Sequence, residues 1–227
     1  MPHRTPLRML FPPVPSFPLR DGGAALLVLD YQPFMVDRAV GLGRMAEERG
    51  IAREFDEYYA QVEYGLKNTA DLVAAFRAAG LPIVFTRLAA VPTDGDRDLG
   101  LAYGGDLPQV GSQEAQIVAS LDAPEGGQHE PILTRSTLSP FVTTPLAEIL
   151  EESAAEYLVL AGVMTGWTVE LAAREAADLG YGVLVASDAC PGETYEIHHF
   201  VMTQLYGGNI RVRPTEAILE MLAGTRT

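Results

Sequence analysis

The chain has 227 residues, of which 48% are hydrophobic and 20% charged, as in an ordinary folded protein rather than a disordered or fibrous one. Its formal net charge of −14 argues against general binding to nucleic acids or to anionic membrane surfaces. The single cysteine, Cys190, excludes an internal disulfide and any multi-cysteine zinc or iron–sulfur site. These features make the cytoplasm the expected compartment, and they do not exclude a small anionic substrate, because a pocket can be locally positive.

The N-terminal segment, residues 1–23, is predicted to be an extended arm. Pro12, Pro13 and Pro15 interrupt its apolar stretch, so it cannot form the helical core of a signal peptide. No run in the chain approaches the roughly 18 apolar residues of a membrane span. Residues 24–227 are predicted to form a single α/β domain, and we expect the arm to lie over this domain or over a neighbouring subunit.

Short apolar runs alternate with helical stretches along the domain. The predicted strands are residues 24–29, 82–86, 131–134, 157–161, 182–186 and 210–212, and the predicted helices are residues 54–79, 145–152, 165–179, 195–205 and 214–222. Because the strands are apolar on both faces, they indicate a parallel sheet covered on both sides. The expected fold is α/β and Rossmann-like, with a six-stranded parallel sheet between two helical layers. Residues 91–111 are rich in turn formers and are predicted to be a surface loop flanking the site.

Polar residues follow the predicted strands where ligands bind in such folds. Asp30 comes after the first strand, Arg87 after the second and Arg135 after the third, and a turn at residues 162–168 follows the fourth. In open parallel sheets, ligands bind beyond the carboxyl ends of the strands. These residues are therefore expected to share one site, and Tyr31 and Phe34 are expected to line it by position.

The usual cofactor motifs are missing from the sequence. It contains no phosphate-binding loop, no glycine-rich dinucleotide fingerprint, no paired-histidine zinc motif and no serine nucleophile elbow. His198 and His199 are adjacent on a predicted helix, so they point about 100° apart and make a poor pair of metal ligands. We therefore expect neither a metal nor another cofactor.

Three sequence blocks, in this order and near this spacing, resemble the isochorismatase-like superfamily, also called the cysteine hydrolases. The blocks are LLVLDYQ at residues 26–32, RSTLSPF at residues 135–141, and residues 158–191, which begin LVLAGVMTGWT. The resemblance spans roughly residues 24–222 and implies the same six-stranded fold. Members of the superfamily include nicotinamidase, N-carbamoylsarcosine amidohydrolase, ureidoacrylate and biuret hydrolases, and isochorismatases.

The amidohydrolases of this superfamily use an Asp, a Lys and a Cys, together with backbone N–H groups that bind the oxyanion beside a cis peptide. By resemblance, the Asp is Asp30, the Lys position holds Arg135 and the Cys position holds Thr168. The cis bond is expected between Val163 and Met164, and the N–H groups of Met164 and Thr168 are expected to bind an oxygen.

Two of these three positions depart from the amidohydrolase pattern. A thiol with a pKa near ~8.5 can lose its proton to a nearby carboxylate, whereas an alcohol is far less acidic. Arg135 keeps the positive charge but cannot shuttle protons, and its planar fork suits a substrate carboxylate. Isochorismatases offer a precedent, because they carry Gly at the Cys position and rely on a protonated Asp, although they keep the Lys.

Each candidate also has a purely structural interpretation. Asp30 could cap a helix or form a salt bridge, and Arg135 could simply pair with Asp30 to leave a neutral, inert site. Thr168 could satisfy backbone groups at a helix start, which we favour over a nucleophile. Trp167 could form a pocket wall, which we favour for an amphipathic ring near a cleft, or belong to the core. Cys190 lies away from the nucleophile position and is predicted to be a small buried hydrophobe.

Three hypotheses for the function follow. The first is a hydrolase of ether or C–N bonds that uses Asp30 as acid or base without a Cys nucleophile, with a lyase reaction as a variant. The second is an inactive relative that binds a metabolite or a protein partner. The third is a Thr-dependent amidohydrolase. The resemblance further implies a homodimer or homotetramer.

Overall fold

A sheet of six strands runs through the centre of the computed structural model, which describes Leu10 and residues 17–19, 23–91, 107–125 and 130–224. The strands are β1 (Ala24–Leu29), β2 (Ile83–Leu88), β3 (Ile132–Arg135), β4 (Tyr157–Gly162), β5 (Gly182–Ala186) and β6 (Ile210–Arg213). Their order is β3-β2-β1-β4-β5-β6, and every neighbouring pair is parallel. The predicted α/β fold with a six-stranded parallel sheet is confirmed.

The helices are α1 (Pro33–Val36), α2 (Gly41–Glu48), α3 (Asp56–Ala79), α4 (Leu146–Glu152), α5 (Glu170–Asp178), α6 (Tyr195–Phe200) and α7 (Thr215–Ala223). A π-helical turn, Thr165–Val169, leads into α5, and a second one, Val201–Leu205, continues α6. Helices α1 and α2 were not predicted, because helices of four and eight residues are too short for an apolar repeat to be recognised in the sequence. None of the described helices is both long enough and apolar enough to cross a membrane.

The continuous apolar sequence of β1 results from burial on both faces of the sheet. Ala24, Leu26 and Val28 belong to the core that packs under α3 and α7. The alternate residues of the same strand belong to the second core, which packs under α4 and α5. Because successive side chains point to opposite faces, a strand covered by helices on both sides needs apolar residues at every position.

The predicted N-terminal arm and the predicted surface loop lie partly outside the described residues. In the described part of the arm, Phe17 and Leu19 are buried, and the Phe17 ring lies 5.1 Å from that of Tyr157 on β4. Residues 92–106 of the predicted loop are also outside. The described end of that loop returns to the sheet, where the N–H of Ala90 donates to the Pro108 carbonyl at 2.9 Å.

Gly162, the last residue of β4, lies in close contact with β1. A Cβ added there would be 2.4 Å from the Leu29 Cβ and 2.5 Å from the Leu29 carbonyl oxygen. We expect Gly162→Ala to lower the free energy of unfolding by about 3 kcal/mol, because neighbouring strands would have to separate. Urea unfolding followed by circular dichroism measures this loss.

Gly80→Ala is the matched control for this substitution. Gly80 caps α3 at φ 66°, but nothing lies within 4 Å of a Cβ added there. Gly80→Ala should therefore lower the free energy of unfolding by only about 1 kcal/mol, which is the cost of the left-handed backbone for alanine. An equal loss in the two variants would show that the contact with Leu29 is not what requires glycine.

Candidate active site

Asp30 stands at the carboxyl end of β1, beside the point where the strand order reverses. Its backbone is left-handed, with φ 57°, a conformation that Asp tolerates better than most residues. The N–H of Asp30 donates to the Thr86 carbonyl at 3.1 Å, and the N–H of Gln32 donates back to the Asp30 carbonyl at 2.8 Å. These bonds hold the turn, and the Asp30 side chain is fully buried.

Three side chains from three other segments donate hydrogen bonds to the Asp30 carboxylate. Thr86 on β2 donates to Oδ1 at 2.9 Å. Thr168 donates its hydroxyl to Oδ2 at 3.0 Å, and Arg135 donates Nη2–H to the same oxygen at 2.5 Å. A carboxylate has about four acceptor positions, so the described donors leave room for about one more. The structure thus brings together Asp30, Arg135 and Thr168, as the sequence predicts.

Arg135 is the last residue of β3, and its side chain is also fully buried. Its Nη1–H donates to the Thr137 carbonyl, and its Nη2 lies 3.5 Å from the Thr168 hydroxyl. A guanidinium keeps its charge in proteins, and its contact with Asp30 is a salt bridge between two fully buried side chains. The sequence analysis gave a pairing of Arg135 with Asp30 as one alternative, and the structure confirms this contact.

Thr168 lies on the π-helical turn Thr165–Val169, and only 2% of its surface is exposed. The peptide bond between Val163 and Met164, just before this turn, is cis, as predicted. The N–H of Val169 donates to the Met164 carbonyl at 3.3 Å, and the N–H of Thr165 donates to the Pro191 carbonyl at 2.8 Å. The turn is therefore anchored to the segment after β5.

A second hydrogen-bonded group anchors the same turn. The Thr165 hydroxyl donates to the Cys190 carbonyl at 2.5 Å and lies 3.0 Å from His198 Nδ1. Because the single hydroxyl hydrogen goes to the carbonyl, His198 Nδ1 must carry its own hydrogen and donate. Burial lowers the pKa of His198, which favours the neutral imidazole. Sequence reasoning considered His198 only as one of a poor pair of metal ligands, since nothing local signals a contact 33 residues away.

The residues predicted to line the site are mostly core residues. Tyr31, Phe34 and Met164 are buried in the core under α3. The Tyr31 hydroxyl donates to the Ala189 carbonyl at 3.0 Å, and burial raises the pKa of this phenol. Trp167 is half-buried and donates its indole N–H to the Glu193 carboxylate. Their role in substrate binding stays a prediction.

Arg87 does not follow β2, as its predicted position required, but lies within the strand. Its Nε–H donates to the Thr134 hydroxyl at 2.8 Å, and its Nη1–H donates to Gln116 at 3.0 Å and Glu125 at 2.6 Å. Neighbouring residues of a strand point to opposite faces. Thr86 therefore reaches Asp30, whereas Arg87 connects β2 to β3 and to the segment that precedes β3.

Cys190 is buried, with 1% of its surface exposed and its Sγ 3.5 Å from the Leu160 carbonyl oxygen. Burial raises the pKa of this thiol well above its ordinary value, which disfavours a thiolate. The prediction of a small buried hydrophobe is confirmed. Within the described ranges, no group of three His, Cys, Asp or Glu side chains could hold a metal ion.

The amino-acid sequence of this chain is similar to those of known proteins. Residues 24–217 match the family model described as the isochorismatase domain. Nicotinamidase 3 of Arabidopsis thaliana is 31% identical over 144 residues, which are 63% of this chain and 72% of that protein. A secreted isochorismatase effector of Verticillium dahliae is 32% identical over 130 residues, which are 57% of this chain and 61% of that protein.

A solved structure shares the fold. The cysteine hydrolase from Pseudomonas syringae pv. phaseolicola superposes with a TM-score of 0.75 at 17% identity, and the match covers 94% of this chain and 97% of that one. At this identity, the likeness shows the arrangement of the sheet and helices alone.

Proposed function

This chain belongs to the isochorismatase family of small-molecule hydrolases, and from that premise we propose that it cleaves a C–N or ether bond by acid–base catalysis at Asp30, without a cysteine nucleophile. One observation carries the proposal. The Thr168 hydroxyl and the Arg135 guanidinium both bond to Oδ2 of Asp30, where the family's amidohydrolases would hold a Cys and a Lys.

Asp30 acts as the base at the start of the proposed reaction. Asp30 takes a proton from water, the water oxygen attacks the substrate carbon, and the proton then passes to the leaving nitrogen as the C–N bond breaks. Arg135 supplies fixed positive charge, and the N–H groups of Met164 and Thr168 bind the developing negative oxygen. Cleavage of a vinyl ether would instead need Asp30 to donate a proton, whereas its carboxylate accepts hydrogen bonds from Thr86, Thr168 and Arg135, so the contacts favour a C–N bond.

A turnover panel tests this proposal. Nicotinamide, ureido compounds and isochorismate are incubated with the purified protein, and product is followed by ammonia release or chromatography. Turnover of a C–N substrate supports the proposal, and no turnover of any compound contradicts it.

The role of Thr168 is tested on whichever substrate is cleaved. If water attacks directly, Thr168→Val should retain measurable turnover, reduced by about tenfold through the lost hydrogen bond to Asp30. If Thr168 attacks, turnover should instead fall by roughly 10⁴-fold or more, and wild type should show an acyl adduct on Thr168 by mass spectrometry. Thr168→Ser is the matched control that keeps the hydroxyl. Thr168→Cys is expected to gain amidase activity if the rest of the site fits thiol chemistry.

The second candidate is an inactive relative that binds a metabolite. The salt bridge between Asp30 and Arg135 favours this candidate, because the two groups neutralise each other and both side chains are 0% exposed. A metabolite screen by thermal shift separates the two functions. The inactive relative predicts ligand-dependent stabilisation with no product from any bound compound.

We also propose that the protein is a cytoplasmic homodimer or homotetramer. The oligomer is proposed because members of the family are commonly dimers or tetramers. The location is proposed because the single cysteine cannot form the internal disulfides that an oxidising compartment would favour. Light scattering on the purified chain measures the mass. Fractionation of producing cells distinguishes this location from the secretion named for the Verticillium relative.

A further inference from the structure

One donor of the buried Arg135 guanidinium is unused. Nη1 donates to the Thr137 carbonyl, and Nη2 donates to Asp30 and lies 3.5 Å from Thr168. Among the residues that the structure describes, nothing accepts the Nε–H, although this nitrogen is buried. Leaving a buried donor on a charged group unsatisfied is costly, so it indicates a ligand that supplies the acceptor.

The planar guanidinium determines where that acceptor must lie. The Nε–H runs parallel to one Nη2–H, and this pair forms the fork that usually grips both oxygens of a carboxylate. Asp30 Oδ2 accepts from Nη2 at 2.5 Å, and the described residues supply no acceptor for Nε. An oxygen accepting from Nε–H therefore lies next to Asp30 Oδ2 and near Thr168, where the proposed acid–base chemistry occurs.

The charges at the site determine the kind of oxygen. Asp30 already compensates the charge of Arg135, so the pair is neutral as a unit. A ligand carboxylate at Nε would place a second negative charge beside Asp30 in a buried site, which is unfavourable. An uncharged carbonyl oxygen accepts the same hydrogen bond without that repulsion.

We infer that Arg135 Nε–H is the specificity-determining donor for the substrate and that it binds an uncharged carbonyl oxygen rather than a carboxylate. This inference rests on the proposed function only in placing the substrate beside Asp30. The sequence analysis instead suggested that Arg135 binds a substrate carboxylate, because the sequence could not show that Asp30 already accepts from Nη2.

Binding of matched probes tests the inference separately from turnover. We choose 3-acetylpyridine and nicotinate, which share a ring and differ in carrying a neutral ketone or a carboxylate. The ketone has no leaving group, so it cannot be hydrolysed. Isothermal titration at neutral pH is expected to show roughly tenfold tighter binding of 3-acetylpyridine by wild type. Equal or tighter binding of nicotinate, or no binding of either probe, would overturn the inference.

Substitutions then separate the Nε donor from a structural role. Arg135→Lys keeps the charge but removes Nε–H, and it is expected to bind 3-acetylpyridine roughly tenfold more weakly than wild type does. Asp30→Asn leaves the Arg135 charge uncompensated, so the preference should reverse toward nicotinate. Asp71→Asn is the matched control, because it neutralises an exposed carboxylate that pairs with Lys67 and leaves the Arg135 guanidinium unchanged, and it should keep the wild-type preference.

Thermal unfolding confirms that each variant is folded before titration. An unchanged preference in a folded Asp30→Asn, or unchanged affinity in a folded Arg135→Lys, contradicts the inference. If either variant fails to fold, the wild-type preference decides it. The turnover panel can fail while the binding preference stands, and the preference can fail while turnover stands, so the two proposals are distinguishable.

Discussion

Asp30→Asn is expected to reduce turnover by roughly 10²–10⁴-fold, the usual contribution of a positioned acid–base group. The amide is nearly the same size as the carboxylate, and its oxygen can still accept from Thr86 or Thr168. It cannot take a proton from water, so kcat should fall far more than the affinity for substrate changes. Steady-state kinetics on the C–N substrate found in the panel measures both quantities.

The control for this loss is a carboxylate remote from the site. Asp71 on α3 is half-exposed and pairs with Lys67 at 3.2 Å, so Asp71→Asn should leave kcat unchanged. Full turnover in Asp30→Asn would remove acid–base catalysis at Asp30 from the proposed function. Equal losses in the two variants would point to a general effect of the substitutions.

Asp30→Leu is expected to lower the free energy of unfolding by about 3–5 kcal/mol, because it leaves the buried Arg135 charge without its counterion. Arg135→Met should cost a similar amount for the converse reason. The double variant should recover most of the loss, since a buried ion pair replaced by apolar side chains is often neutral or stabilising. Urea unfolding of all four proteins completes a double-mutant cycle.

The exposed pair on α3 provides the comparison for this cycle. Asp71→Ala breaks the ion pair with Lys67, whose side chains are 50% and 73% exposed, and it should cost at most about 1 kcal/mol. If the double variant at Asp30 and Arg135 loses the sum of the two single losses, the pair is not coupled and its burial is not what stabilises it.

The fold could be predicted from the sequence because burial on both faces leaves a direct signal. The runs at residues 24–29 and 182–186 coincide with β1 and β5, since all of their residues except the half-buried Gly182 are buried. The prediction of β2 ended too early at Thr86. The charge of Arg87 suggested a strand end, but its side chain reaches polar groups outside the core, so the strand continues to Leu88.

The sequence by itself also determined which residues meet. Asp30, Arg135 and Thr168 follow strands whose carboxyl ends lie at one edge of the sheet, and the motif blocks indicated the cis bond before Met164. Sequence position named Asp30, Arg135 and the turn at residues 162–168, and the resemblance to the isochorismatase-like superfamily singled out Thr168 within that turn.

Only the tertiary structure decided how these residues are bonded. It pairs Arg135 with one oxygen of Asp30, directs the Thr168 hydroxyl to the same oxygen, and adds Thr86 as a donor that sequence reasoning missed. The bonds to Asp30 join atoms 56 to 138 residues apart in the chain. The physical reason is that a hydrogen bond depends on rotamers and on distances of a few tenths of an ångström, which the packing of the whole domain sets and no local pattern encodes.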